Sequence, residues 1–169
     1  LGWGLAPVYV GRQIHLIPNT DQRVSAENGT KDGIHAAQLA RQAKFASGAM
    51  LYLDFEHGPG LPEEFPPPKR GEKPRIGARL IRDYFKAWAE SVRQQGFKAG
   101  VYCISAIAFQ MLKAVPDTDL WVVNLSRIKK QSKPPFQSPS PADSGVPDAS
   151  LWQLNQGVAI EFQNLKGIR

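Results

Sequence analysis

Cysteine is almost missing from this chain: Cys103 stands alone among 169 residues. An intrachain disulfide is therefore excluded, and the apolar run around Cys103 reads it as a small core residue. The three histidines, His15, His35 and His57, are far apart, and no Cys/His spacing of a zinc site occurs. No run approaches the roughly 20 consecutive apolar residues of a membrane-spanning helix. The opening Leu1-Gly2-Trp3-Gly4-Leu5 has neither a basic start nor an apolar core, so it does not read as a signal peptide. It also lacks an initiator methionine, so the chain is expected to be part of a longer protein. Acidic residues are the scarcer charge, 15 against 21 Lys and Arg, for a net charge of +6. That balance favours anionic partners such as cell-wall polymers, nucleic acid or acidic lipid. The basic residues are scattered, apart from Arg127-Ile128-Lys129-Lys130, and no aromatic residues interleave them as a base-stacking platform would require. A solvated basic surface is the preferred reading, without specific nucleic-acid binding.

What remains is ordinary for a folded protein. Hydrophobic residues make up 42% and charged residues 21%, which suits a globular chain. The length fits one domain with a sizeable core, and residues 1–169 are read as such. Short apolar runs predict strands over 5–10, 49–56, 98–105, 120–125 and 151–154. Residues 12–30 are polar and rich in turn formers, and read as a loop. An Ala-rich pattern predicts a helix over 31–45, with Asp32 near its start. Leu80, Ile81, Tyr84, Phe85, Trp88 and Val92 recur at helical spacing and predict a helix over 76–95, with Gly96 as its C-cap. A shorter helix is expected over 106–115, stopped by Pro116. Strands alternating with helices argue for parallel β-α units. Residues 127–148 read as a long loop, basic and then Pro/Ser-rich.

The most telling stretch is Met50-Leu51-Tyr52-Leu53-Asp54-Phe55-Glu56-His57. An apolar strand ends in two carboxylates separated by one residue. Residues i and i+2 of a strand share a face, so Asp54 and Glu56 are expected to project together. Two adjacent carboxylates disturb each other's pKa, and burying them is costly unless a site uses them. Parallel α/β sheets carry their chemistry at this end of their strands. The pair therefore suggests a catalytic acid beside a stabilising carboxylate, or two metal ligands; the plainer reading is a strand ending in acidic loop residues. Residues 57–74, with six prolines and three glycines, form an irregular excursion where cleft-shaping loops are common.

The series Pro7-Val8-Tyr9-Val10-Gly11, Tyr52-Leu53-Asp54-Phe55-Glu56, Tyr84-Phe85-x-x-Trp88, Gly100-Val101-Tyr102-Cys103, Leu120-Trp121 and Leu151-Trp152-Gln153 runs through nearly the whole chain. In this order it resembles the glycoside-hydrolase-like family catalogued as domain of unknown function 1906, which is related to the family 25 glycoside hydrolases, the lysozymes. The resemblance implies a modified TIM-type β/α barrel, apparently without its first two strands and last strand in this chain. The lysozyme pattern also uses acidic residues on those strands. The resemblance implies that Glu56 donates a proton to the glycosidic oxygen and that Asp54 stabilises or orients the reacting N-acetyl group. It also suggests a secreted or cell-envelope setting and a peptidoglycan-type substrate. No cofactor and no metal is implied.

Independently of any family, cleaving a glycoside needs an acid for the leaving oxygen and negative charge near an oxocarbenium-like centre. An i,i+2 pair is too close to seat the water of an inverting mechanism, which needs carboxylates ~6.5–9.5 Å apart. Substrate assistance is the natural route for a sugar carrying an acetamido group. Tyr9, Gln13, Tyr102, Asn124, Trp152 and Gln153, near strand ends, are the candidate sugar-binding residues, because rings stack on sugars and amides bind hydroxyls. For Tyr102 and Trp152, filling a barrel interior is an equal reading. His57 could tune the carboxylates, although a solvent-facing loop histidine is the simpler reading.

The leading reading is thus a glycosidase acting on cell-wall glycan. The alternative is a carbohydrate-binding barrel that has lost turnover. A metal-dependent phosphodiesterase using Asp54 and Glu56 ranks last, because Lys98 starts the next strand instead of lying opposite the pair. Oligomeric state is left open.

Overall fold

The computed structural model describes residues 5–13, 24–55, 76–124 and 140–153. Five strands alternate with three helices: β1 (Val8–Val10), α1 (Ala26–Gln42), β2 (Met50–Phe55), α2 (Ile76–Gln94), β3 (Lys98–Ile104), α3 (Ser105–Ala114), β4 (Asp119–Val123) and β5 (Leu151–Gln153). A 3-10 turn, Pro141–Ser144, precedes β5. The strands form one sheet in the order β1-β2-β3-β4-β5, and every neighbouring pair is parallel. The expected α/β class with parallel strands is what the described residues adopt, an arrangement consistent with a TIM-like fold.

Strand order has a direct consequence. Crossovers between parallel strands are right-handed. When each one moves to the next strand in the same direction, all the helices fall on one face of the sheet. The core lies between that face and the helices: Leu51, Leu53 and Phe55 from β2, Val101 and Cys103 from β3, and Leu120 and Val122 from β4 pack with Tyr84, Phe85 and Trp88 of α2. The alternate residues of each strand point to the other face, which is helix-free among the described residues.

The first helix begins earlier than its sequence pattern predicts. Residues 26–30, expected in a loop, form the opening of α1, because Ser25 caps it: its Oγ accepts from Asn28 N at 3.2 Å. Glu27 and Lys31 pair one turn apart on its exposed side. The misleading signal was Gly29, which looks like a turn former; Gly33 falls inside the expected helix. Both are buried in α1 and face α2. A Cβ on Gly29 would run into the Tyr84 carbonyl, and one on Gly33 would sit 2.6 Å from the Trp88 carbonyl oxygen. With Ala36, Ala37 and Ala40, also buried, they make a flat stripe that lets the two helices approach backbone to backbone. The helix also stops sooner than expected, at Gln42.

Candidate functional site

The strand register sorts the candidate residues by face. Val10, Asp54, Tyr102, Trp121 and Leu151 occupy one row across the sheet on the helix-free face. One step toward the strands' N-terminal ends lies the row Val8, Tyr52, Gly100 and Asp119. One step toward the C-terminal ends lie Ile104, Val123 and Gln153. Asp54 thus comes from the C-terminal end of β2, with Tyr102 as its immediate neighbour on β3.

These side chains interlock. Tyr102 donates its hydroxyl to Gln153 Oε1 at 2.7 Å, bridging β3 to β5. Trp121, between them on β4, packs edge-to-face on Tyr102 with ring centroids 5.1 Å apart, and on Tyr52 at 5.6 Å. Tyr52 reaches across a whole strand to donate to Asp119 Oδ1 at 2.9 Å. It can do so because the residue between them is Gly100, where a Cβ would lie 2.6 Å from the Tyr52 ring. Burial, and then the bonded Asp119 carboxylate, pushes the Tyr52 phenol well above its ordinary value. The result is a wall of three aromatic rings beside and below Asp54.

Gln13 belongs to this end of the sheet by a different route. Its Nε2 donates to the Asp54 carbonyl at 2.9 Å, so it braces the backbone of the carboxylate strand. The segment that carries it is anchored from the helix side. Arg12 Nε pairs with Asp32 Oδ2 at 2.9 Å, Tyr84 donates to the same oxygen at 2.7 Å, and Arg12 N donates to the Tyr84 hydroxyl at 3.0 Å. Gly11 leaves room for this, since a Cβ there would lie 2.8 Å from the Tyr84 hydroxyl. Burial is the main cause of the raised Tyr84 phenol, and Asp32 adds to it.

Tyr9 and Trp152 stand elsewhere. Their register partners are the core residues Leu53 and Val122, so both share the helix side of the sheet. The Tyr9 hydroxyl lies 3.1 Å from His35 Nδ1 on α1, and burial, with Asp32 nearby, raises its phenol. Asn124 follows β4 and donates to the Ser144 carbonyl at 2.7 Å, holding the 3-10 turn against the strand end. Glu56 and His57 lie outside the described residues. The candidate site residues read from the sequence do not include Tyr52, Gly100, Asp119 or Trp121. Gly100, a glycine inside a strand, was the available signal that a side chain crosses above it. Among the described residues no three His, Cys, Asp or Glu side chains gather where they could hold a metal ion.

The C-terminal end of β2 thus carries a carboxylate flanked by aromatic rings and amides. The family relationship follows the same lines, since a family model matches residues 1–166. The chain belongs to the family described as Rv2525c-like, glycoside hydrolase-like domain. This agrees with the resemblance drawn from the strand motifs. No curated protein matches the chain. A crystal structure of an uncharacterized B. stearothermophilus protein is similar at 16% identity and a TM-score of 0.49, over 90% of this chain and 64% of that one. The Rv2525c-like chain thus spans less than two thirds of that protein's length.

Proposed function

We propose that this Rv2525c-like domain cleaves a glycan of the bacterial cell-wall type, with Glu56 as general acid/base and Asp54 as the stabilising carboxylate. The observation that carries the reading is the row Asp54, Tyr102, Trp121 on the helix-free face near the strands' C-terminal ends. Parallel β/α folds bind their substrates at that end. A sugar ring presents an apolar face to tyrosine and tryptophan, and its hydroxyls suit Gln153 and Gln13. In the proposed reaction Glu56 gives a proton to the leaving oxygen as the glycosidic bond breaks. Asp54 holds negative charge beside the developing oxocarbenium-like centre, directly or through a substrate acetamido group, and water completes the hydrolysis. Glu56 stands two residues beyond Asp54, the spacing of one strand face.

A second reading is a saccharide-binding domain without turnover. The aromatic wall favours it, because ring stacking and amide contacts bind sugar with no acid present. Reducing-end release from purified peptidoglycan separates the two. The parent protein should release reducing ends, and Glu56→Gln should lower the rate by the ~10²–10⁴-fold that general acid catalysis supplies. Saccharide binding with no release by either protein would establish the second reading and end the first.

A further inference from the structure

The opposite end of the sheet has its own character. There the connection 43–49 is bonded to the start of the next one: Gly48 N donates to Gly96 O at 2.7 Å, and Lys98 N to Ala49 O at 2.9 Å. Arg41 Nη2 donates to the carbonyl and the side-chain oxygen of Gln95, and Arg93 donates to the Asp117 carbonyl at 3.3 Å. Arg41, Lys44, Arg93 and Lys98 are all exposed at this end. Neither 41–49 nor 93–98 contains a single Asp or Glu. Lys113 adds a fifth exposed cation at the end of α3, near the exposed Asp117.

A cation in the last turn of a helix answers the helix dipole, which accounts for Arg41, Arg93 and Lys113. It does not account for Lys98, which opens a strand, or for Lys44. The backbone at Lys44 is left-handed, with φ of 62°. Phe45 N bonds Ala40 O and Lys44 N bonds Arg41 O, so Lys44 fills the position of a Schellman turn where glycine is favoured. The neighbouring left-handed positions, Gly48 and Gly96, are glycine. A long cation therefore stands where the backbone disfavours it. Neither Lys44 nor Lys98 has an ion-pair partner among the described residues.

We propose that this end, centred on Lys44 and Lys98, docks a flexible phosphodiester polyanion of the polyol-phosphate kind found among cell-wall polymers. Lysine ammonium groups act as point charges on phosphate and need no fixed geometry in the partner. A nucleic-acid partner would call for exposed rings among the cations. Around Lys44 and Lys98 the aromatic residues are a half-buried Phe45 and a buried Phe97 that lies under the Arg41 guanidinium, 5.7 Å from its carbon; the one exposed ring at this end among the described residues, Phe109, stands beside Lys113 with Asp117 and Asp148. The choice of a wall polymer also rests on the proposed function. Docking at this end leaves the Asp54 end open to sugar.

The test is the affinity of the whole chain for poly(glycerol phosphate) across a salt series, with oligothymidylate as comparator. Each cation on a flexible polyanion contributes ~0.7 to the slope of log K against log salt. K44Q/K98Q should therefore lower the slope by about 1.4, and weaken binding about 25-fold at 0.1 M salt. K31Q/K86Q removes the same charge from exposed sites on α1 and α2 and should leave the slope unchanged, with circular dichroism reporting the fold of both variants. An unchanged slope in K44Q/K98Q, an equal fall in K31Q/K86Q, or tighter binding of oligothymidylate would overturn the proposal. Binding is read without turnover, so failure here leaves the reducing-end assay standing, and an inactive protein leaves this surface to be judged separately.

Discussion

Replacing Gly33 with alanine is the most direct test of how the first helix is seated. On helix propensity alone the change should help, because alanine is favoured over glycine by about 1 kcal/mol within a helix. The packing argues the other way. The added Cβ would lie 2.6 Å from the Trp88 carbonyl oxygen and 2.8 Å from the Ser91 Cβ. The first obstacle is backbone, which cannot rotate aside, so α1 and α2 must separate. Overpacking of this kind costs about 1–3 kcal/mol, and contact with a carbonyl belongs in the upper half of that range. After the propensity gain, Gly33→Ala should lose about 1–2 kcal/mol. For a chain of this size that is a fall of about 3–6 °C in Tm. Gly29→Ala, which meets the Tyr84 carbonyl, should lose at least as much. Urea unfolding followed by circular dichroism measures both. An alanine variant as stable as the parent would mean that the glycines are not there for helix contact, and the account of the small-residue stripe would fail.

Lys44→Gly should gain about 1 kcal/mol by relieving the left-handed backbone, seen as a higher urea midpoint; no gain would remove the strain argument for Lys44. Cys103 is fully buried and its thiol is pushed up to about 12, so a thiol reagent at neutral pH should label it only as fast as the chain opens. Labelling at the rate of a free thiol in native buffer would contradict its place in the core. Tyr9, Tyr52 and Tyr84 have phenols raised above the ordinary 10. A raised folded value means their contribution is fully present below pH 10 and is lost as pH climbs above it, since the unfolded chain ionises first. Phenolate absorbance should therefore rise together with loss of circular dichroism, and ionisation of all the tyrosines well before unfolding would count against the buried network.

Much of the sheet was legible because burial on both faces leaves continuous apolar runs. β2, β3 and α2 fall within a residue or two of where periodicity put them. The start of α1 was not, because Asn28 and Gly29 have the chemistry of a turn, and only the approach of α2 explains glycine inside a helix. The candidate site divides in the same way. Alternation along one strand sets Tyr52 and Asp54 on a common face. It cannot show that Tyr52 passes over Gly100 to Asp119, because that depends on the register of three strands. Tyr102 and Gln153, 51 residues apart, meet for the same reason. Tyr9 and Trp152 turned toward the helices on a single step of register, which sequence near a short strand's end does not define.

The order of the strands ties the two ends of the sheet together. A sheet wound in one direction gathers its helices on one side, and each helix returns its C-terminus to the end where the next strand begins. Cations in the last turns of α1, α2 and α3 are thereby brought to a common surface by the same connectivity that leaves Asp54, Tyr102 and Trp121 on the face opposite these helices. Each last-turn cation is favoured locally by its helix, but their assembly is a property of the winding. Lys44 follows the end of α1 and Lys98 opens β3, positions where the helix dipole does not argue for charge. A surface built only by helix capping would stop at Arg41, Arg93 and Lys113. The two additional lysines, one on a backbone better suited to glycine, extend it beyond capping, and a partner carrying repeated negative charge is what such an extension fits.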